Sequence, residues 1–419
     1  MLPWCSPVCA CIIDGLTLAT LQTARGAILI FLLIQITHAS PDFEATISVA
    51  NPHTDYVKLL PESVLLPTFY TDEEKDLLVG TSLEAAIDQK LRSLENEFEE
   101  LREFTQNIPW CQEFWWDEDS GRLTFEDWML VDALYRSRAL DLPGAGHAMV
   151  PCMDMANHAS GNDVTALYEI DEDGCAILQR RPGRELANGE EVTITYGDEK
   201  GASEMIFSYG FLEPDLSCAK VIFLDLDIPD DDPLRLAKKA VNKEAPGVRL
   251  FVDEDGRPQW ESNHIWWACV NEEDGLNFRV AQDTDGNRQL EVLWKDQPID
   301  PSSLSNALKD DVKWDVFRLR AIVMLQERVN LQVSHLELGA ELFSERRGHS
   351  GVREVVWVLI GQLRDLEGSL LALFYRDFEE QVRNSLHIWS AFFTDWLAED
   401  RPLVQRHREK LSRSCTSGG

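Results

Sequence analysis

The stretch Asp154–His158 reads Asp-Met-Ala-Asn-His, and it is followed by EEVTITYG over Glu190–Gly197 and by SYGF over Ser208–Phe211. Apolar and polar residues alternate over Glu191–Tyr196, which predicts a strand, and Lys200–Tyr209 predicts a short helix. A loop that carries Asn and His therefore precedes a strand that ends in Tyr-Gly. A second Tyr-Gly follows 13 residues after the first, and this order is the pattern that decides the fold.

The composition describes a globular, strongly acidic chain. Its 419 residues are long enough for two domains, and 44% of them are hydrophobic. A formal net charge of −34 argues against a nucleic-acid-binding surface, which needs Lys and Arg to neutralise phosphates. A basic protein partner fits this charge, because complementary fields speed encounter. Acidity that serves only solubility is an equally good interpretation.

The cysteines and the apolar segments exclude several classes of protein. Of nine cysteines only Cys5, Cys9 and Cys11 cluster, without the paired spacing of a zinc site, which predicts reduced thiols and no metal. The apolar run Ala27–Ile36 is shorter than the ~20 residues that span a bilayer, so we expect a buried helix and no membrane span. The N-terminus lacks the basic region of a signal peptide. We therefore expect an intracellular protein, in the nucleus or the cytoplasm.

Helical signals dominate the first part of the chain after its N-terminal segment. Thr71–Glu74 and Thr81–Glu84 both have the sequence of a capping box. Apolar residues recur every three or four positions from Leu83 to Leu101, which predicts an amphipathic helix. Thr124 is placed to cap a further helix that runs toward Arg138.

Turn signals divide the rest of the chain. Val164–Ile170 and Ala176–Gln179 predict a hairpin around an Asp-Glu-Asp-Gly turn, and Asn188-Gly189 predicts another turn. Strand-like pieces, including Gln289–Trp294, lie between residues 248 and 294. Pro229–Pro233 predicts a boundary loop. Long helices are predicted over Trp314–Phe343 and Val352–Leu397, separated at Gly348 and Gly351. Residues 401–419 are predicted to form a disordered tail.

Four features together resemble the SET domain of protein-lysine methyltransferases, in the branch typified by plant Rubisco large-subunit lysine methyltransferase. They are the helix opened by Gly80–Leu83, the Ser-Arg of Tyr135–Arg138, the segment Met149–His158, and Tyr196 with Tyr209–Phe211. Each has an ordinary structural interpretation when taken alone. Asn-His suits a turn, for example, and a strand tyrosine often packs on a core. Their joint order and spacing favour the resemblance.

The resemblance implies an α+β fold. It implies a SET-type β-fold with a pseudoknot over residues 56–215, with a helical insertion at about 71–140. A mostly helical substrate-binding domain would follow over residues 230–400, while residues 1–55 form an atypical N-terminal segment. It also implies S-adenosylmethionine as cofactor and transfer of a methyl group to a protein substrate, one that we expect to be basic or related to translation.

The resemblance also assigns roles to individual residues. Tyr196 would be the catalytic tyrosine at the methyl-transfer pore, also bordering the cofactor, and Tyr209 would line the target channel. Such a channel suits amine methylation, because burial disfavours the ammonium form of lysine and ring faces hold methylammonium groups.

The remaining assigned residues concern the cofactor. Asn157 would bond its amino-acid end, and His158 would present backbone groups to its adenine. Arg138 would contact its carboxylate. Asp154 would support the Asn-His loop, and Phe211 would help to close the pocket.

One part of the family pattern is missing from the sequence. The family begins with a strand pair that bears a Gly-x-Gly motif against the cofactor, and no such motif precedes the helical insertion. Three functions therefore stay open: a protein-lysine methyltransferase, a non-catalytic SET-like interaction module with an incomplete cofactor pocket, and a protein-histidine methyltransferase. The oligomeric state is not indicated.

Overall fold

The computed structural model describes residues 23–40, 52–117, 123–214, 216–282 and 288–399. Contacts divide the chain into two units, Met1–Lys220 with Leu338–Leu366 and Val221–Glu337 with Glu367–Gly419. The Cys5 cluster and the tail after Arg401, for which we predicted no metal and disorder respectively, lie outside the described residues.

Every regular element before Leu140 in the described part of the first unit is helical. The helices are α1 (Ala24–Ala39), α2 (Pro52–Val57), α3 (Asp72–Lys75), α4 (Ser82–Thr105), α5 (Pro109–Cys111, continued by a π-helical turn to Trp116) and α6 (Phe125–Arg138). The apolar run forms α1 and is buried, with Leu29 and Ile30 fully inaccessible, so the predicted buried helix is confirmed.

The first core forms where α1 packs with the apolar faces of α4 and α6. Leu94 and Leu101 of α4 and Trp128 of α6 are fully buried in this cluster. The amphipathic spacing on α4 is the reason, since residues three or four apart share one helical face. The predicted amphipathic helix is therefore confirmed.

Two of the three predicted helix caps are present. Thr71 forms a capping box with Glu74, and Thr124 caps α6 in a capping box with Asp127. The capping box predicted at Thr81 is wrong, because the Thr81 hydroxyl donates to the Leu78 carbonyl. The carboxylate of Glu84 accepts from the amide of Gly80 instead.

A buried group of charges joins α1 to α4 and α6. The Asp132 carboxylate on α6 is fully inaccessible, and it accepts from Arg25 at 2.6 Å, Lys90 at 2.8 Å and Arg136 at 2.8 Å. Arg25 also pairs with Glu97 at 3.0 Å. Burial by itself would raise the pKa of Asp132, but the three cations outweigh it and lower the pKa.

The strands of the first unit follow α6 and are short. They are β1 (Leu140–Leu142), β2 (Gly146–Ala148), β3 (Asn157–His158), β4 (Ala166–Ile170), β5 (Ala176–Arg180) and β6 (Thr193–Ile194). The pairs β1–β2 and β4–β5 are antiparallel hairpins, whereas β3 pairs with β6 in parallel. The hairpin predicted over residues 164–179 is confirmed. The strand predicted over Glu191–Tyr196 is shorter than expected, and α7 (Ala202–Tyr209) follows it.

The second unit combines two antiparallel sheets with helices. The first sheet contains β7 (Val221–Asp225), β8 (Gly247–Val252) and β9 (Pro258–Glu261), and the second contains β10 (Leu276–Gln282), β11 (Arg288–Trp294) and β12 (Gln297–Ile299). The short helices are α8 (Arg235–Val241), α9 (His264–Cys269) and α10 (Leu304–Lys309). The strand-like pieces predicted between residues 248 and 294 are confirmed.

The predicted long helices are present at the end of the chain. They are α11 (Trp314–Glu345) and α12 (Glu354–Glu399), and the break between them contains Gly348 in a left-handed conformation. The mixture of helices and short strands confirms the predicted α+β class. Among the described residues no helix is both long and apolar enough to cross a membrane. No group of metal-ligating side chains occurs in the same ranges, and their five cysteines are free thiols.

The ion pairs of the buried Asp132 predict an effect on the free energy of unfolding. Asp132→Asn keeps the shape of the side chain but leaves three cations around a neutral amide, so we expect the free energy of unfolding to fall by about 3–5 kcal/mol. Urea denaturation measures it. Asp88→Asn, at an exposed position of α4, is the matched control, and equal losses in the two variants would contradict the account.

Candidate active site

A narrow cleft of about 80 Å³ opens where the end of α6 meets the short strands of the first unit. Residues from six elements, namely α6, β1, β2, β4, β6 and α7, and from the loops between them contribute to it. The lining residues are Ser137, Arg138, Ala139, Leu140, Asp141, His147, Asp154, Tyr168, Ile194, Thr195, Tyr196, Lys200 and Tyr209.

The parallel pairing of β3 with β6 brings distant parts of the sequence together at this cleft. Asn157 lies opposite Thr193, and His158 lies opposite Ile194. Thr165 braces β6 from its other side, since its hydroxyl accepts from the Thr193 amide at 2.7 Å. The chain leaving β6 therefore reaches Tyr196 beside the Asn-His loop.

Four aromatic rings predicted to share the site do lie together. The ring centroids of Tyr196 and Tyr209 are 4.6 Å apart, and His158 lies 5.1 Å from Tyr196. Phe211 is 5.8 Å from His158 and 6.2 Å from Tyr209. Tyr196 and Tyr209 line the cleft, whereas His158 and Phe211 pack behind them.

Gly210 allows the chain to turn at the end of α7. It ends the helix with φ of 77°, a left-handed conformation that glycine adopts without steric cost. A Cβ atom there would lie 2.3 Å from the Leu65 carbonyl oxygen. Tyr-Gly-Phe is thus a steric requirement, because only glycine lets Tyr209 and Phe211 both face the cluster.

The two tyrosine hydroxyls are protonated and hydrogen-bonded to backbone carbonyls. Tyr196 donates to the Ala156 oxygen at 2.9 Å, and Tyr209 donates to the Tyr196 oxygen at 3.4 Å. Burial raises the pKa of Tyr196, and it raises that of Tyr209 to about 12. Both hydroxyls are therefore donors at neutral pH.

Asp154 is the buried polar centre beside the cleft. Its Oδ2 atom accepts from the Tyr56 hydroxyl at 2.5 Å and from Arg138 Nη1 at 3.4 Å, and Arg138 also donates to the Asp154 carbonyl. Its Oδ1 atom is buried and has no hydrogen-bond partner among the described residues. An acceptor in that position needs a donor from a ligand or from solvent.

Asn157 is placed differently from the other predicted site residues. Its side chain is exposed and donates to Glu191 Oε1 at 2.5 Å, and it does not line the cleft. The structure therefore brings Arg138, Asp154, Tyr196 and Tyr209 to the cleft but holds Asn157 in a surface pair. The roles assigned to these residues stay predictions.

Several residues at the site were not predicted. Tyr168 of β4 lines the cleft, and the alternation of the predicted hairpin strand could have placed it on the inner face. Tyr56 and Glu213 contact Asp154 and His158 from far away in the sequence. No local sequence pattern predicts either of these contacts.

Known proteins resemble the chain along much of its length. SET domain-containing protein 8 of Schizosaccharomyces pombe is 27% identical over 280 residues, which cover 66% of this chain and 62% of that protein. The chloroplastic [fructose-bisphosphate aldolase]-lysine N-methyltransferase of Arabidopsis thaliana is 29% identical over 185 residues, 42% of this chain and 37% of that protein. The matches thus span less than two thirds of either relative. No protein-family model matches the chain.

A solved structure shows the fold. The SET domain of LSMT bound to lysine and AdoHcy superposes with a TM-score of 0.61 at 17% identity, covering 90% of this chain and 80% of that one. The chain is thus similar in sequence to a SET domain-containing protein and has the fold of the SET domain of LSMT. The predicted fold class is confirmed.

The described residues before Leu140 depart from the pattern of the SET family. The expected strand pair with a Gly-x-Gly motif does not occur in the described residues before Leu140, all of whose regular elements are helices. Helix α1 is held there by its apolar side chains and by Arg25. The physical reason is local: Ala27–Ile34 is a continuous apolar segment without the alternation that a half-buried strand requires.

The raised pKa of Tyr209 predicts how alkaline pH acts on stability. The hydroxyl of an unfolded tyrosine has a pKa of ~10, whereas the pKa of Tyr209 in the folded protein is raised to about 12. The stability that this group contributes is therefore fully present below pH ~10 and is lost as the pH rises through the folded pKa. We expect Tyr209→Phe to lose less unfolding free energy than the wild type between pH 9 and pH 11. Tyr375→Phe, at a 37% exposed position, is the control. A loss of unfolding free energy in Tyr209→Phe as large as in the control would contradict a raised pKa of Tyr209.

Proposed function

We propose that the chain is an S-adenosylmethionine-dependent protein-lysine N-methyltransferase. One observation carries the proposal: two half-buried, protonated tyrosines, with ring centroids 4.6 Å apart, line a cleft of about 80 Å³. Pockets for drug-sized ligands measure about 300–1,000 Å³, so this cleft suits one slender side chain. The solved SET domain of the same fold holds lysine and AdoHcy, which supports the proposal.

The tyrosines supply the conditions that amine methylation needs. Free lysine has a pKa of about 10.4, and removal from water favours its neutral, nucleophilic form. Tyr196 and Tyr209 line the cleft. Their rings would hold the side chain, and their hydroxyls would orient its nitrogen. When bound, S-adenosylmethionine supplies an electrophilic methyl group on a positively charged sulfur.

The residues around Asp154 fit the amino-acid end of that cofactor. Asp154 Oδ1 is a buried acceptor without a described partner, and the cofactor carries an ammonium group. Both described bonds of Arg138 use Nη1, which leaves its other donors for a carboxylate. Asn157 would have to exchange Glu191 for the cofactor. Asp154 and Arg138 therefore carry charges opposite to those of the ammonium and carboxylate groups of an amino acid.

Lysine, which the solved SET domain of the same fold holds, is the target that we propose rather than histidine. The cleft is lined by Lys200, whose ammonium pairs with Glu204 at 2.5 Å, and by the exposed carboxylate of Asp141. That carboxylate would attract an approaching ammonium ion more than a neutral imidazole. The formal net charge of −34 similarly favours a protein substrate with a basic surface. A translation-related substrate and a nuclear or cytoplasmic location stay predictions.

A non-catalytic interaction module is the second candidate. It is favoured by the helices that stand before Leu140 in the described residues, where the family has its Gly-x-Gly strand pair. Such a module would keep the SET fold and would transfer no methyl group.

Methyl transfer from tritiated S-adenosylmethionine tests the proposal. The acceptors are an array of lysine peptides with basic flanks and an extract of hypomethylated cellular protein. We expect label on lysine, identified by mass spectrometry, and a loss of about 100-fold or more in Tyr196→Phe and Tyr209→Phe, with Tyr375→Phe as control. Label on histidine alone would overturn the lysine assignment. No label on any acceptor would favour the interaction module.

The role given to Asp141 has its own test. Asp141→Asn removes the carboxylate at the cleft, so we expect KM for a lysine peptide to rise about threefold at low salt while kcat stays unchanged. Glu172→Gln removes one charge from the exposed tip of the β4–β5 hairpin and should leave KM unchanged. Equal shifts in the two variants would mean that only net charge matters.

A further inference from the structure

His158 is held by hydrogen bonds at both ring nitrogens. Its Nδ1 atom accepts from the backbone amide of Tyr196 at 3.1 Å, and its Nε2 atom lies 3.0 Å from Glu213 Oε1. The side chains of His158 and Glu213 are only 6% and 7% exposed. The ring is thus fixed between the tyrosine strand and a carboxylate from the segment after α7.

These two contacts determine the tautomer of His158. A backbone amide can only donate, so Nδ1 must be the unprotonated nitrogen. The ring proton is then on Nε2, where the Glu213 carboxylate accepts it. Without that acceptor the Nε2–H group would be buried and unpaired, or the proton would move to Nδ1 and break the bond to Tyr196.

Glu213 is itself prepared for this contact. Its second oxygen, Oε2, accepts from Lys220 at 2.6 Å. Burial would raise the pKa of Glu213, but the bonds from Lys220 and His158 outweigh it and lower the pKa. The carboxylate is consequently charged at neutral pH and presents a fixed acceptor to the histidine.

The network ends at the tyrosine of the cleft. His158 holds Tyr196 by accepting a hydrogen bond from the Tyr196 backbone amide and by ring contact, with the two ring centroids 5.1 Å apart. The Tyr196 hydroxyl in turn donates to the Ala156 carbonyl at 2.9 Å. Displacement of the histidine would move the tyrosine backbone, and small displacements of reacting groups cost large factors in rate.

We propose that Glu213 is a positioning residue that sets the Nε2–H tautomer of His158 and thereby fixes Tyr196 at the cleft. The proposal rests on the proposed function for its catalytic consequence, but the tautomer itself does not depend on any activity. Lys220 holds the carboxylate and contacts neither the histidine nor the tyrosine in the described structure.

The tautomer is tested by NMR on protein labelled with ¹⁵N-histidine. Long-range ¹H–¹⁵N correlations identify which ring nitrogen carries the proton, and His158→Gln assigns the signal. We expect the Nε2–H form in the wild type and in Glu213→Gln, whose amide oxygen still accepts, and a changed pattern in Glu213→Ala. An Nδ1–H form in the wild type, or a signal that Glu213→Ala leaves unchanged, would overturn the proposal.

The catalytic consequence is tested in the methyl-transfer assay. We expect Glu213→Ala to lower kcat by about tenfold or more and Glu213→Gln to recover most of it. Glu172→Gln, at the exposed tip of the β4–β5 hairpin, is the control and should stay close to the wild type. A purely structural role would lower the melting temperature of Glu213→Ala without lowering kcat per folded molecule, and that result would contradict positioning. A wild type without activity but with the predicted tautomer would refute the proposed function and leave the network intact.

Discussion

The parallel pairing of Asn157–His158 with Thr193–Ile194 is the contact on which the rest of the site depends. Two residue pairs make a weak sheet by themselves. The pairing is reinforced on one side by Thr165, which exchanges hydrogen bonds with Thr193, and on the other by the His158 ring, which accepts from the Tyr196 amide. Backbone pairing and side-chain bonding therefore place the histidine and the tyrosine together.

A second constraint lies at the opposite end of the site. Helix α6 delivers Arg138 to the cleft, and the same helix carries Asp132, which anchors Arg25 of α1. Helix α1 is thus connected to the residue predicted to contact the cofactor. Among the described residues before Leu140, α1 is an apolar helix that an ion pair between Arg25 and the buried Asp132 ties to the core. Because a buried carboxylate without its cations is costly, α1 is an integral part of the domain.

Much of the fold could be predicted from the sequence because its signals are local. Helical periodicity placed α4, and the Asp-Glu-Asp-Gly turn placed the β4–β5 hairpin. Tyr196, Tyr209 and Phe211 could be grouped from motif order, and the rings do lie together. The cap at Thr81 was mispredicted, since the turn at Gly80 offered the glutamate a different amide.

The partners of the site residues could not be predicted, since they are distant in sequence. Glu191 is 34 residues from Asn157, and Glu213 is 55 residues from His158. Tyr56 reaches Asp154 across 98 residues. No periodicity or spacing links such pairs, because they are set by how the elements pack. The exposed pairing of Asn157 with Glu191 is therefore a finding of the structure.

The proposed activity requires that the described helices before Leu140 and these short strands form a working cofactor pocket. Calorimetric titration of S-adenosylhomocysteine into the purified chain tests it most directly, with Asn157→Ala as the comparison. We expect a dissociation constant in the micromolar range, about −8 kcal/mol, and loss of binding in the variant. Folded wild-type protein that releases no heat of binding would contradict this expectation and would mean a SET fold without the enzyme's chemistry.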